Sequence, residues 1–162
     1  MLVLKYLPEG NLLIEPDLPD EFESIFKLRW QILRKPWDQP KGSEQDSLEY
    51  SCIHRAVFSS NGIPAVLACG RIQKMEDSEF AQIRYMAVHA DFRNKGLGFE
   101  VLKSLEQAMV DLNLRVAFLN ARENAVPFYL KAGYMLEHEI PPFLGIRHFR
   151  MRKILNDKIL HQ

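Results

Sequence analysis

Apolar positions recur along the chain with two periods, and the points where one period gives way to the other mark its elements. Phe22, Ile25, Phe26, Leu28, Ile32 and Leu33 return every three or four positions after Pro19. That spacing lines one face of a helix and predicts one from Pro19 to Arg34. Leu97, Val101, Leu102, Leu105, Ala108, Met109 and Leu112 repeat the period and predict a second helix over 97–112. A short third helix is predicted over 124–131. Runs rich in β-branched and aromatic residues predict strands at 2–7, 11–15, 51–59, 63–75, 80–89, 115–120, 134–140 and 147–154. The first two join at Pro8-Glu9-Gly10, and Ser60-Asn61-Gly62 between the third and fourth predicts a hairpin. Alternating helices and strands predict a mixed α/β domain. Between the first helix and the third strand, Lys35 to Asp46 reads KPWDQPKGSEQD. Two prolines and a glycine among polar residues predict an irregular surface loop, of a length more often functional than decorative.

Composition narrows the classes. A chain of 162 residues predicts one domain spanning 1–162, able to bury a core without disulfides or a structural metal. Its 47% apolar and 26% charged residues exclude global disorder. Twenty-one Lys plus Arg balance 21 Asp plus Glu. That balance removes the broad basic footprint of a nucleic-acid binder, so no nucleic-acid partner is expected. Cys52 and Cys69 fall in neighbouring predicted strands and are read as reduced core residues. No Cys/His spacing resembles a zinc site, so no metal is expected. Met1 to Tyr6 lacks the pattern of a signal peptide, and no apolar run approaches the ~20 residues of a membrane span. A cytoplasmic protein with no membrane partner is the expectation.

The chemistry concentrates in residues 83–105, IRYMAVHADFRNKGLGFEVLKSL. A strand ending near Val88 runs through Arg93-Asn94-Lys95-Gly96-Leu97-Gly98 straight into an amphipathic helix. Glycines at 96 and 98 allow a tight turn and close approach of a ligand to the backbone. The first helical turn leaves N–H groups without intrahelical partners, and with the helix dipole these form an anion site. Arg93 and Lys95 add positive charge, so a phosphate fits the loop. On glycine spacing alone, a plain strand-to-helix turn with solvated cations fits as well. A Walker loop would need Gly-Lys followed by Ser or Thr, and the dinucleotide fingerprint would need GxGxxG; neither is present.

Arg93-x-x-Gly96-x-Gly98, preceded by Met86-Ala87-Val88, resembles the (Arg/Gln)-x-x-Gly-x-(Gly/Ala) pyrophosphate loop of the GNAT superfamily of acetyl-CoA-dependent N-acetyltransferases. Ala125-x-x-x-Tyr129-x-x-x-Gly133-Tyr134 resembles that family's second characteristic segment, in the right order and spacing. The resemblance implies a mostly antiparallel sheet of six or seven strands flanked by about four helices. It implies acetyl-CoA as co-substrate, with its pyrophosphate held by backbone N–H groups of Arg93, Asn94, Lys95, Gly96, Leu97 and Gly98. Backbone groups of Met86, Ala87 and Val88 would meet the acetyl carbonyl and the pantetheine arm. Tyr129 would be the general acid that protonates the departing thiolate; the plain alternative is a core aromatic. Asn124 would open the short helix as N-cap and bond the cofactor. A homodimer through the C-terminal strands is a further implication.

The match departs from the family at Gln82, where some relatives carry the glutamate that deprotonates the amine. An amide cannot take that proton, which leaves Glu49, His54, a water chain or bulk solvent as the acceptor. In this family helix one and the following loop usually set specificity. Here Glu44, Asp46 and Glu49 would attract an ammonium, Arg29 and Arg34 would hold an anionic group, or all would form a solvated face; Trp30 and Trp37 would line a pocket or pack. The reaction expected is transfer of acetyl to a small-molecule primary amine by direct attack. The alternative, kept open by Gln82, is a non-catalytic acyl-CoA-binding module.

Overall fold

A computed structural model describes residues 1–156 of the chain; residues 157–162, the end of the expected single domain, lie outside the described residues. The elements are β1 (Leu2–Tyr6), β2 (Leu12–Glu15), α1 (Pro19–Leu33), β3 (Ile53–Phe58), β4 (Val66–Lys74), β5 (Phe80–Val88), α2 (Leu97–Asp111), β6 (Val116–Arg122), α3 (Val126–Lys131), β7 (Met135–Phe143) and β8 (Ile146–Ile154). The described residues thus hold eight strands and three α-helices, as the apolar runs and periods predict, where the family resemblance implied six or seven strands and about four helices. The connection from α1 to β3, expected as an irregular loop, holds only single 3-10 turns at Lys35–Trp37 and Glu49–Ser51. Pro36 and Pro40 remove two backbone donors there, and Gly42 at φ +100° favours a turn.

The described residues divide into two compact units, residues 1–72 with 85–105, and 73–84 with 106–156. In the first, β1, β2, β3 and β4 pair antiparallel in that order. Helix α1 starts at Pro19, with Asp20 and Glu21 in the first turn where acidic side chains complement the dipole. It buries Ile25, Phe26 and Leu28 against Ile14, Ala56, Val66, Cys69 and Ala87. Each such fully buried aliphatic contributes about 1.5–3 kcal/mol. The same buried face carries Arg29, with no exposed surface. Gly70 in β4 leaves room for Met86: a Cβ there would collide with its Sδ, and would stand 2.9 Å from Leu105 Cδ1. The hairpin connection is longer than an Asn-Gly turn. The Asn61 carboxamide oxygen accepts from the Ser59 hydroxyl and the Ile63 amide, Ser59 N bonds Ala65 O, and β4 begins only at Val66.

In the second unit the strand order is β5-β6-β8-β7. Only β5 with β6 runs parallel among the registered pairs, and that ladder is short: Phe80↔Val116, Ala81↔Ala117, Gln82↔Phe118. Both strands continue past its end. Strand β8 pairs antiparallel with β6 along Val116–Arg122 and with the exposed edge strand β7.

Candidate functional site

Backbone conformation sets the loop that follows β5. The His89 amide donates to Leu67 O at 2.8 Å, tying the end of β5 to β4, and its Nδ1 accepts from Asp91 N, capping the turn Ala90–Phe92. Asn94 then takes φ +62° and Gly96 φ +76°, and α2 opens at Leu97, which is buried and pins the helix start. The first helical bond is Glu100 N to Gly96 O, 3.0 Å. Among the described residues, no hydrogen bond engages the amides of Asn94 through Phe99. Arg93 and Lys95 are exposed; Lys95 Nζ lies 3.9 Å from Glu9 and 5.4 Å above the Phe92 ring. A turn of free donors flanked by two cations is chemically suited to a diphosphate.

Beneath the last residues of β5 lies a cluster that sequence alone scattered over three elements. Arg29 and Arg71 have no exposed surface, and Glu49 is 2% exposed. Glu49 meets Arg29 Nη1 at 2.9 and 3.0 Å and Arg71 Nη1 at 2.8 Å. Asp46 pairs both terminal nitrogens of Arg71 at 2.8 and 2.9 Å. Burial raises the Glu49 carboxyl, yet the two guanidiniums outweigh it and hold the group below its ordinary range. His54 sends Nε2 to Glu49 O at 2.7 Å and meets Arg29 Nη2 through Nδ1 at 3.2 Å. With a guanidinium donating to Nδ1, the proton sits on Nε2 and the ring is neutral. Burial, with Arg29 adding to it, lowers its pKa to about 4. Neither Glu49 nor His54 is therefore an available base: one is bound by two cations, the other has both nitrogens engaged. The solvated-face reading fails as well, because Arg29, Arg34, Glu44 and Glu49 are all buried. Arg34 binds Ser43 O, and Glu44 accepts from Gly42 N. Trp30 is tied by Nε1 to Gln39 O.

Tyr85 was missed. It sits in β5 at φ +57°, a conformation costly for a bulky residue. Three guanidinium carbons surround its ring, Arg29 at 4.4 Å, Arg71 at 4.8 Å and Arg34 at 5.8 Å. The Cys69 thiol donates to its carbonyl at 3.7 Å. The sequence signal was Arg71 inside the apolar run Val66–Ile72, since a charge in a buried strand demands partners.

In the second unit, Tyr129 lies on α3, 6% exposed, with ring centroids 5.0 Å from Phe128 and 5.7 Å from Tyr134. Burial pushes its phenol well above 10, so it is protonated at any physiological pH. Among the described residues its hydroxyl has no hydrogen-bond partner. Tyr134 donates to Glu106 at 3.4 Å, and Lys153 meets Glu106 at 2.7 Å and Ala132 O at 2.8 Å. Asn124 is not the α3 N-cap: it lies exposed in the 3-10 turn Glu123–Ala125, and Ala125 takes the cap position with no side-chain bond. Gln82 sits within the β5–β6 ladder opposite Phe118. Of the cysteines, Cys69 is buried in β4 as expected, with burial raising its thiol to about 11, whereas Cys52 precedes β3 and is only partly buried.

Among the described residues no group of three or more His, Cys, Asp or Glu is placed to hold a metal ion, and no helix is long and apolar enough to cross a membrane. The model of the acetyltransferase (GNAT) family matches residues 22–134. The uncharacterised N-acetyltransferase YjcF of Bacillus subtilis is 31% identical over 136 residues, covering 83% of this chain and 93% of that protein. YyaT, an uncharacterised protein of the same organism, is 27% identical over 72% of this chain and 75% of its own. In fold, a putative N-acetyltransferase from Lactobacillus plantarum superposes with TM-score 0.78 at 16% identity, over 90% of this chain and 99% of that one. An aminoglycoside 6'-N-acetyltransferase complexed with coenzyme A gives 0.73 at 15% identity, over 88% and 96%.

Proposed function

Because the chain belongs to the acetyltransferase (GNAT) family, we propose that it transfers the acetyl group of acetyl-CoA to a small-molecule primary amine by direct attack. The observation that carries this reading is the run of unengaged amides from Asn94 to Phe99 between Arg93 and α2. The pyrophosphate takes those donors, while Met86, Ala87 and Val88 offer backbone groups to the thioester arm. The amine nitrogen attacks the carbonyl carbon and forms the C–N bond, and an N–H of this strand stabilises the oxyanion. Collapse breaks the C–S bond, the thiolate takes the Tyr129 proton, the amine's proton passes to solvent, and the Tyr129 phenolate regains a proton from solvent before the next turnover. The high thiol pKa of Cys69, about 11, supports direct transfer over a covalent acyl-cysteine route.

The test joins calorimetry with acetyl-CoA to thiol release across an amine panel. Binding with turnover of at least one amine is expected; absence of heat removes the reading. Gly96→Ala probes the loop itself. Space around a Cβ there is open, so the substitution acts through backbone strain of about 1–2 kcal/mol at φ +76°. Acetyl-CoA should bind roughly tenfold more weakly, measured by the same calorimetry. A second reading, a non-catalytic acyl-CoA-binding module, is favoured by Gln82 together with the engaged state of Glu49 and His54. Binding of acetyl-CoA without thiol release for any amine would select it.

A further inference from the structure

We infer that the buried Arg29–Glu49–Arg71–Asp46 cluster is a positioning device: it clamps the Tyr85 ring and so fixes the backbone of Met86 to Val88 that meets the thioester. The inference rests on the acetyl-transfer reading and adds to it a set of residues that touch neither substrate. A tyrosine in the left-handed region persists only where its surroundings over-determine it, and such residues gather at functional sites. Here the surroundings are specific. Arg29 and Arg71 lie 4.4 and 4.8 Å from the ring, each without exposed surface, so the cation–π attraction is little screened by water. Glu49 bridges the two guanidiniums and Asp46 holds the second nitrogen of Arg71, which fixes the planes that face the ring. His54 closes the cluster, meeting Arg29 Nη2 through Nδ1 and Glu49 O through Nε2. The Cys69 thiol holds the Tyr85 carbonyl, and Gly70 leaves the gap that Met86 fills.

Charge within the cluster is spent internally, two arginines against two carboxylates, which suits a rigid support better than a docking patch for a charged acceptor. The residues are drawn from α1, the 35–52 connection and β4. They converge on one residue of β5, immediately before the stretch that approaches the acetyl group.

The experiment reads the carbonyl stretch of isotope-labelled acetyl-CoA bound to the intact protein by difference infrared spectroscopy, with the dissociation constant measured alongside. In the wild type a hydrogen bond from the fixed strand shifts the band to lower frequency than in free acetyl-CoA. Tyr85→Gly keeps a residue at ease with positive φ but removes the ring. The band should relax toward the free value while the dissociation constant stays within about threefold, and kcat should fall about 10²-fold, the scale of a misplaced oxyanion donor. Tyr85→Phe keeps the ring and should restore the shift. Arg71→Lys keeps a cation for Asp46 and Glu49 but offers no plane to the ring, so part of the shift should be lost. A band that is the same in wild type and Tyr85→Gly overturns the inference and leaves acetyl transfer standing. So does a band that moves in Tyr85→Gly but not in a folded Arg71→Lys. Failure of the wild type to bind acetyl-CoA overturns both.

Discussion

Tyr129→Phe should lower kcat and kcat/KM together, by about 10²- to 10³-fold, and leave acetyl-CoA affinity within about twofold. The substitution deletes one hydroxyl and keeps the ring, so the packing against Phe128 and Tyr134 survives. No hydrogen bond to that hydroxyl exists among the described residues, so folding has little to lose. The whole effect should then fall on the step in which the C–S bond breaks and the thiolate needs a proton. Burial holds the phenol protonated far above neutral pH; its acid form is fully populated, and the pH–rate profile should show no alkaline fall that Tyr129→Phe removes. Steady-state kinetics of thiol release, with calorimetry on both proteins, decides the matter. A kcat unchanged in the variant would make Tyr129 one more core aromatic, and a parallel loss of affinity would make it a binding residue.

What the sequence revealed follows from the range of the interactions concerned. The turn into α2 was legible because local conformation dictates it: Gly96 stands at φ +76°, where a side chain is strained. Gly98 entered the same motif but needs no unusual angle; it is buried in the first turn of α2. Asn94, at φ +62°, shares the left-handed geometry that only the glycine announced. The irregularity of the segment from Lys35 to Asp46 was legible, since Pro36, Pro40 and Gly42 act locally. The partners of its charges were not legible. Asp46 finds Arg71 25 positions along the chain, and Glu49 finds Arg29 20 positions back; until β3 and β4 pair, nothing marks those charges as partners. Tyr85 was hidden for the same reason. A tyrosine in a β-rich run looks like any other strand residue, and only the three guanidiniums around its ring explain why the chain holds it at positive φ.

Glu49→Gln should destabilise the protein by about 3–5 kcal/mol at pH 7, the cost of leaving buried charges without their counterion. For a chain of this length that corresponds to a fall in Tm of roughly 6–20 °C. The carboxylate is the hub: Arg29 and Arg71 both bind it, and only Arg71 has a second anion in Asp46. The acid response separates the hub from its neighbour His54. Burial lowers the folded His54 pKa from 6.5 to about 4, so between those values the unfolded chain binds a proton that the folded one refuses, and stability falls with falling pH. At about 1.4 kcal/mol per pH unit that window removes on the order of 3 kcal/mol. Glu49 acts lower. Its folded pKa lies below the ordinary 4.5, so its contribution is complete above that value and is lost as pH drops through the folded pKa. Urea denaturation from pH 8 to 3 should therefore show a wild-type profile level above pH 7, sloping through the His54 window and continuing to fall below it as Glu49 takes its proton. His54→Gln should flatten the upper slope alone. Glu49→Gln should start lower and converge with wild type in acid, because protonation there does to the native protein what the substitution does at neutral pH. A wild-type curve flat from pH 6.5 to 4 would mean that the imidazole is not held neutral, and a Glu49→Gln variant within 1 kcal/mol of wild type at pH 7 would mean that the two arginines do not depend on it.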